Sequence, residues 1–287
     1  MFEETGRIST DMPKRKLVKK LSPEEKELQR KKKELRGLED RFAELELTLN
    51  ALRVDVGAFL FSVQAAVGER LLEEAILRRR LADALLAIDP DNKEYQTQAK
   101  KAREDAEEAQ HEHDTFAGRP GASSTYADFE SARKARASDE VRDLYLKLVK
   151  LAHPDLTTDP EEKERRTRFM QEVNAAYEAG DYQRLEDLYR GWSGSLESFE
   201  GEDIGDQLVR AIRQISLIQE RMAAVEAEFA ELMNTDDYGM FEEARERGVE
   251  DYLNNLTAIA DTANNCLKAS IDQVSRQIEE IFDPSSA

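Results

Sequence analysis

Apolar residues recur at alternating steps of three and four along the first third of the chain. This series consists of Leu35, Leu38, Phe42, Leu45, Leu49, Leu52, Val56, Phe59, Val63 and Ala66. The spacing places all of them on one face of a helix and, sustained for over four heptads, predicts a coiled-coil seam. Ser22 and Pro23 predict the start of the helix, because serine caps a helix and proline suits its first position.

A second helical series begins after a break at 89–92, where Pro90 removes a backbone donor. Its seam is mostly alanine, which allows close approach, so residues 23–117 are predicted to form a coiled-coil helical hairpin. At 1.5 Å per residue the first arm is roughly 97 Å long and the second reaches only about 36 Å back along it. The seam 35–63 therefore needs a further partner, either a second copy of the chain or the C-terminal helices.

The remaining chain divides into a central block and a C-terminal helical pair. Residues 206–283 repeat the four-three alternation on both sides of a polar turn at 234–239, which predicts an antiparallel helical hairpin. Residues 118–125 and the acidic 193–205 resemble linkers. The first 22 residues form a basic tail. No segment requires a strand, so the predicted fold class is all-α.

The central block, residues 126–192, is named here the J-like block. Ser138 caps its first amphipathic helix, which Pro154 ends. Asp159 and Pro160 restart the chain as a second helix, and Gly180 and Asp181 separate that helix from a third. The first two helices are predicted to be antiparallel, with His153 and Asp155 at the tip of the connection.

Composition and charge narrow the functions that the chain can have. Charged residues make up 36% of it, and Gly and Pro number only 13 and 7, which favours long, exposed helices over a many-stranded enzyme core. The net charge is −19, and residues 193–287 hold 7 basic and 21 acidic residues. This excess argues against nucleic acid or an anionic membrane surface as a partner.

Candidate chemistry is sparse. The single cysteine, Cys266, excludes an intrachain disulfide and is expected to be buried beside Leu267 and Ile271. His111 and His113 are two positions apart and lie on different sides of a helix, so we expect no metal site. No phosphate-cradling glycine loop or catalytic constellation is present, so we expect a non-enzyme without a cofactor. No signal-peptide run or membrane-length apolar stretch is evident, which favours a cytoplasmic protein.

One motif in the J-like block resembles a known family. The run Tyr145-x-x-Leu148-x-x-x-Ala152-His153-Pro154-Asp155 is followed by Phe169-x-x-x-Val173-Asn174-x-Ala176-Tyr177. Together they are similar to the J-domain of DnaJ-type co-chaperones, in which a His-Pro-Asp tripeptide joins two antiparallel helices. The resemblance covers about 55 of the 287 residues. No Gly/Phe-rich segment or cysteine-rich zinc module follows it.

The resemblance implies a docking role. In J-domains the His-Pro-Asp loop and the basic face of the preceding helix bind a DnaK-type chaperone ATPase and stimulate ATP hydrolysis. The implied partner-binding residues here are His153, Pro154, Asp155, Arg142, Tyr145, Lys147 and Lys150. Asp155 would accept a charge-assisted hydrogen bond from an arginine of the partner, and the cations would face an acidic surface on it.

Two hypotheses follow. The first is a J-domain co-chaperone whose flanking coiled coils bind an unidentified client protein or assembly. The second is a coiled-coil scaffold or adaptor whose J-like block no longer stimulates an ATPase. In either case a homodimer through the seam 35–63 is a further prediction.

Overall fold

A computed structural model of the chain describes residues 21–119, 126–157, 159–192 and 203–282. Every regular element in these ranges is helical, so the all-α prediction is confirmed. The helices are α1 (Pro23–Ile88), α2 (Lys93–Ala117), α3 (Tyr126–Arg136), α4 (Asp139–Ala152), α5 (Pro160–Glu178), α6 (Tyr182–Gly191), α7 (Ile204–Met233), α8 (Asp236–Arg247) and α9 (Val249–Phe282), with a 3-10 turn at Pro154–Leu156. Most of the basic tail and of the two linkers lies outside the described residues.

The predicted N-terminal hairpin forms as α1 and α2. Ser22 and Glu25 make a reciprocal capping box at the start of α1. Asn92 caps α2 by accepting from the backbone N–H groups of two residues in its first turn. The two arms are antiparallel, since the Arg103 guanidinium lies 2.7 Å from the Asp83 carboxylate near the turn and Phe61 packs on Phe116 further along.

α7 supplies the partner that the seam of α1 requires. Three pairs, Lys32–Gln207, Glu46–Arg221 and Arg53–Glu228, share one sequence separation of 175 residues, so α7 runs parallel to α1. Leu35, Phe42, Leu49 and Val56 are buried within the single chain. The C-terminal helices thus fill the seam from which a homodimer was predicted. A homodimer through this seam stays a prediction.

The C-terminal helical pair follows a different path from the antiparallel hairpin expected. α9 also runs parallel to α1, since Arg70 pairs with Asp261 at 2.7 Å and Asn264 donates to the Arg70 carbonyl at 3.0 Å. α7 and α9 therefore point the same way, each along its own part of α1. The expected turn contains a twelve-residue helix, α8, capped by Thr235. Both helices bury apolar side chains against α1, Ile215 and Ile218 of α7 with Leu35 and Phe42, and Val249 and Tyr252 of α9 with Val56 and Phe59.

Cys266 is exposed, which contradicts the expected buried thiol. The face of α9 that meets α1 runs through Ala260 and Asn264, and the Asn264 amide donates to the Arg70 carbonyl and to Glu73. Cys266 lies two positions beyond Asn264 and so points away from that face. Neighbouring apolar residues in sequence were a poor guide because they occupy a different angle around the helix.

One part of α1 is more apolar than the sequence pattern suggested. An 18-residue window of this helix reaches a mean hydropathy of 1.3. By length and composition alone the helix could therefore cross a membrane, and the expectation that no stretch approaches a membrane span was wrong in this respect. In the structure, Val56 and Phe59 of the same helix pack with Phe241 of α8 and Tyr252 of α9. These apolar residues therefore have packing partners within the chain.

The J-like block contains helices α3 to α6 and shares its core with the long helices. Leu148, Val173 and Leu185, from α4, α5 and α6, are fully buried in the same cluster as Phe42 of α1 and Val225 of α7. Burial of such side chains contributes roughly 1.5–3 kcal/mol each. In the free protein the block is consequently part of one continuous core with α1 and α7.

Candidate functional site: the HPD loop and the helices that cover it

The HPD loop, residues 153–155, is a compact turn between α4 and α5. His153 ends α4 by donating its backbone N–H to the Val149 carbonyl at 3.0 Å. Its ring Nδ1 accepts from the Asp155 N–H at 3.2 Å, which caps the 3-10 turn that Pro154 opens. Because proline fixes one dihedral angle and the histidine ring caps the turn, the backbone of the loop is preorganised.

Arg166 of α5 fastens this loop to the rest of the block. Its Nη1 donates to the carbonyls of Leu151 and His153 at 3.3 and 3.4 Å, and its Nε donates to Glu162 at 2.8 Å. The last carbonyls of a helix lack partners within it, so a buried guanidinium here satisfies them. The arginine thus sets the position of the loop from the neighbouring helix.

A second link between α4 and α5 uses residues of the J-domain-like pattern. The Tyr145 hydroxyl donates to the Asn174 side-chain oxygen at 3.0 Å, and its ring packs on Tyr177 with centroids 4.5 Å apart. Burial, together with the Glu46 carboxylate, raises the pKa of Tyr145 well above its usual range. Tyr145 is 2% exposed, so the structure places this predicted partner-binding residue in the core.

His153 is covered by α1. Its Nε2 lies 3.3 Å from a Glu46 carboxylate oxygen, and its ring meets Phe42 edge-on with centroids 4.7 Å apart. Only 7% of the residue is exposed. Since Nδ1 accepts the Asp155 N–H, the proton of the neutral ring is on Nε2 and points toward Glu46. The expected solvent-facing histidine is therefore buried in this arrangement.

Asp155 is engaged by α7. One carboxylate oxygen lies 3.0 Å from Arg221 Nε and the other lies 3.0 Å from Lys163 Nζ. Arg221 also donates to Glu46 at 3.1 Å and to Glu228 at 2.8 Å. Burial lowers the pKa of Arg221, but these carboxylates more than offset it and leave that pKa raised. The arginine is thus a shared cation that joins α7, α1 and the loop.

The basic face of α4 is largely paired as well. Arg142 forms an ion pair with Glu44, and Lys150 Nζ lies 2.6 Å from the Asp40 carboxylate. Both acids belong to α1. Lys147 is exposed and makes no ion pair within the described ranges. Of the three predicted docking cations, two therefore face carboxylates of the chain's own helix α1.

A small cavity lies beside these contacts, between the loop and the covering helices. Its volume is about 150 Å³, and its lining includes Leu156 next to the loop, Glu39 of α1 and Gln214 of α7. Among the described residues, the Gln214 side-chain oxygen is buried without a hydrogen-bond partner. Burial raises the pKa of Glu39. Such a void forfeits dispersion contacts, so this interface is packed less completely than the core beside it.

The structure brings His153, Pro154 and Asp155 together as predicted, but directs them toward α1 and α7 instead of solvent. Sequence reasoning missed the residues that cover them, above all Glu46 and Arg221. The available signal was weak: Arg221 is a charge directly beside the seam residue Met222. Charged residues are common there in coiled coils.

No protein-family model matches the chain, and no curated protein or solved structure matches it either. The similarity to J-domains thus rests on the residues and their arrangement. In the described part of the chain, no group of three His, Cys, Asp or Glu side chains is placed to hold a metal ion.

Proposed function

We propose that the protein is a J-domain-type co-chaperone that recruits a DnaK-type ATPase and stimulates its ATP hydrolysis, acting by binding and not by catalysis of its own. The observation that carries this proposal is the antiparallel α4–α5 pair joined by a preorganised HPD loop. Arg166 holds the loop, and Tyr145 bonds to Asn174 across the pair. We further propose a cytoplasmic location, with the long helices binding a client protein.

The chemistry of the loop suits such a role. A rigid Asp155 carboxylate provides an acceptor for an arginine of the partner at a low ordering cost. Its present arginine ligand is Arg221 of the same chain. Productive docking therefore requires the loop to exchange this internal arginine for an external one.

A second candidate function is supported by the shared core. Because α4 and α5 bury their apolar faces together with those of α1 and α7, the J-like block also serves as a structural part of one helical body. A scaffold or adaptor would need no more than this. The two candidates differ in whether the HPD loop ever leaves its place.

The test is single-turnover ATP hydrolysis by a purified DnaK-type ATPase with the full chain at saturating concentration. We expect stimulation by the wild type and its loss in Asp155→Asn, which removes the charge but keeps the shape. Asp187→Asn is the matched control, an exposed carboxylate on α6 of the same block and outside the predicted docking face, and should leave stimulation unchanged. Equal stimulation by Asp155→Asn, or none by any form of the protein, would favour the scaffold.

A further inference from the structure

We propose that α1 and α7 act as an internal competitor for the HPD loop, presenting the same chemistry that an external partner would use and so keeping the J-like block latent. This inference rests on the proposed function. The competing surface consists of an acidic row on α1 and one arginine on α7. Each part contacts a different feature of the loop and of α4.

The acidic row matches the basic face of α4. Asp40 and Glu44 lie one helical turn apart on α1 and pair with Lys150 and Arg142, which are two turns apart on α4. Glu46 adds a third carboxylate, 3.3 Å from His153. An acidic surface on another protein would have to displace these three carboxylates to reach the same groups.

The arginine of α7 occupies the acceptor of the loop. Arg221 Nε lies 3.0 Å from Asp155, and the same guanidinium is held in place by Glu46 and Glu228. The competitor is therefore preorganised by acids from both covering helices. This arrangement lowers the ordering cost of the internal contact and makes it an effective rival to an arginine from outside.

The contact of the HPD loop and α4 with the covering helices also contains weak interactions that allow it to open. The Asp40 and Glu44 side chains are 66% and 47% exposed, and exposed pairs of this kind contribute little each. The cavity and the unpartnered Gln214 oxygen weaken the interface further. Opening uncovers Phe42, which keeps the open form a minor population until a partner binds it.

The first experiment measures opening in the free protein. Asp40→Lys/Glu44→Lys reverses the two exposed pairs and leaves the J-like block unchanged. Glu27→Lys/Glu69→Lys makes the same charge change on α1 at one half-buried and one exposed position, as Glu44 and Asp40 are, but away from the block. The readout is the carbethoxylation rate of His153 by diethyl pyrocarbonate, measured by mass spectrometry.

At about threefold per reversed pair, the His153 rate should rise about tenfold in the first variant and stay unchanged in the control. Two other histidines serve as internal controls. The exposed His111 reports the activity of the reagent, and the half-buried His113 reports any general loosening of the helical structure. Arg221→Met is an independent opening variant from the α7 side and should act in the same direction. A His153 rate that rises in neither opening variant overturns the proposal.

The second experiment separates this proposal from the proposed function by repeating the ATPase assay with the same variants. A raised His153 rate together with about tenfold lower half-maximal concentration for stimulation, abolished by Asp155→Asn, supports both. A raised His153 rate without stimulation of ATP hydrolysis would contradict the co-chaperone role but would still support the internal contact. Full stimulation of ATP hydrolysis by the wild type, with no further increase in the opening variants, would overturn the internal competition and support the co-chaperone role.

Discussion

The ion pair between Arg221 and Asp155 predicts a measurable energetic coupling between α7 and the HPD loop. Its charged atoms are 3.0 Å apart, and the two side chains are 25% and 28% exposed. Exposed ion pairs contribute about 0.2–1 kcal/mol, and a pair that is partly shielded from water is screened less and lies toward the upper end of that range. With intermediate exposure on both sides, we expect a coupling free energy of about 1 kcal/mol.

The assay is a double-mutant cycle on the full chain. Urea unfolding at neutral pH is followed for the wild type, Arg221→Met, Asp155→Asn and the double variant, and the coupling is the part of the double effect that the single effects do not explain. Arg190 and Glu186, an exposed pair within α6, form the control cycle and should couple by no more than about 0.5 kcal/mol. A coupling between Arg221 and Asp155 that is no larger than the control would refute the arrangement described for the loop.

Three further predictions test other parts of the account. Gly180 has φ +65°, and a Cβ added there would lie 2.6 Å from the Ala135 Cβ, so Gly180→Ala should lower the free energy of unfolding by roughly 1–2 kcal/mol or more. Gly191→Ala is the control and should have little effect, because a Cβ added there meets no described atom within 4 Å. Equal effects of the two substitutions in urea unfolding would contradict this prediction. Hydrogen bonds from Arg165 and Arg166 lower the pKa of Glu162 from 4.5 to about 2, so its contribution to stability is complete above the unfolded value and disappears as the pH falls through the folded one. The stability difference between wild type and Glu162→Gln should accordingly be constant above about pH 5 and shrink toward pH 2, and a difference that grows on acidification would be evidence against the pairing. Cys266 should react with a maleimide in the native protein, whereas reaction only in urea would show that the thiol is buried.

Local signals in the sequence were sufficient for most of the individual helices, although α8 lies where a turn was expected. The serine cap at Ser22, the break at Pro90 and the restart at Pro160 depend on a few neighbouring residues, and each lies where it was predicted. The direction of α9 was not predictable in this way. It depends on which apolar face packs on which, and α1, α7 and α9 all carry faces of similar spacing.

The same distinction applies to the site. The HPD loop is held by Pro154 and by Arg166, thirteen residues from His153, and its form follows from nearby sequence. The contacts that cover the loop do not follow from nearby sequence, because Glu46 and Arg221 are 175 residues apart. Single charges beside a coiled-coil seam occur throughout this chain, and only the packed structure selects the two that meet the loop.

In the latent arrangement proposed above, the HPD loop lies against α7 in the free protein and leaves it when a partner binds. The most direct test of this arrangement is the distance between spin labels at Glu164→Cys on α5 and Glu220→Cys on α7, both exposed positions, in a Cys266→Ser background. We expect one narrow, short distance distribution for the free protein and a second, longer one when an ATP-bound DnaK-type ATPase is added. A broad, long distribution in the free protein, or an unchanged short one in a complex that stimulates hydrolysis, would contradict it.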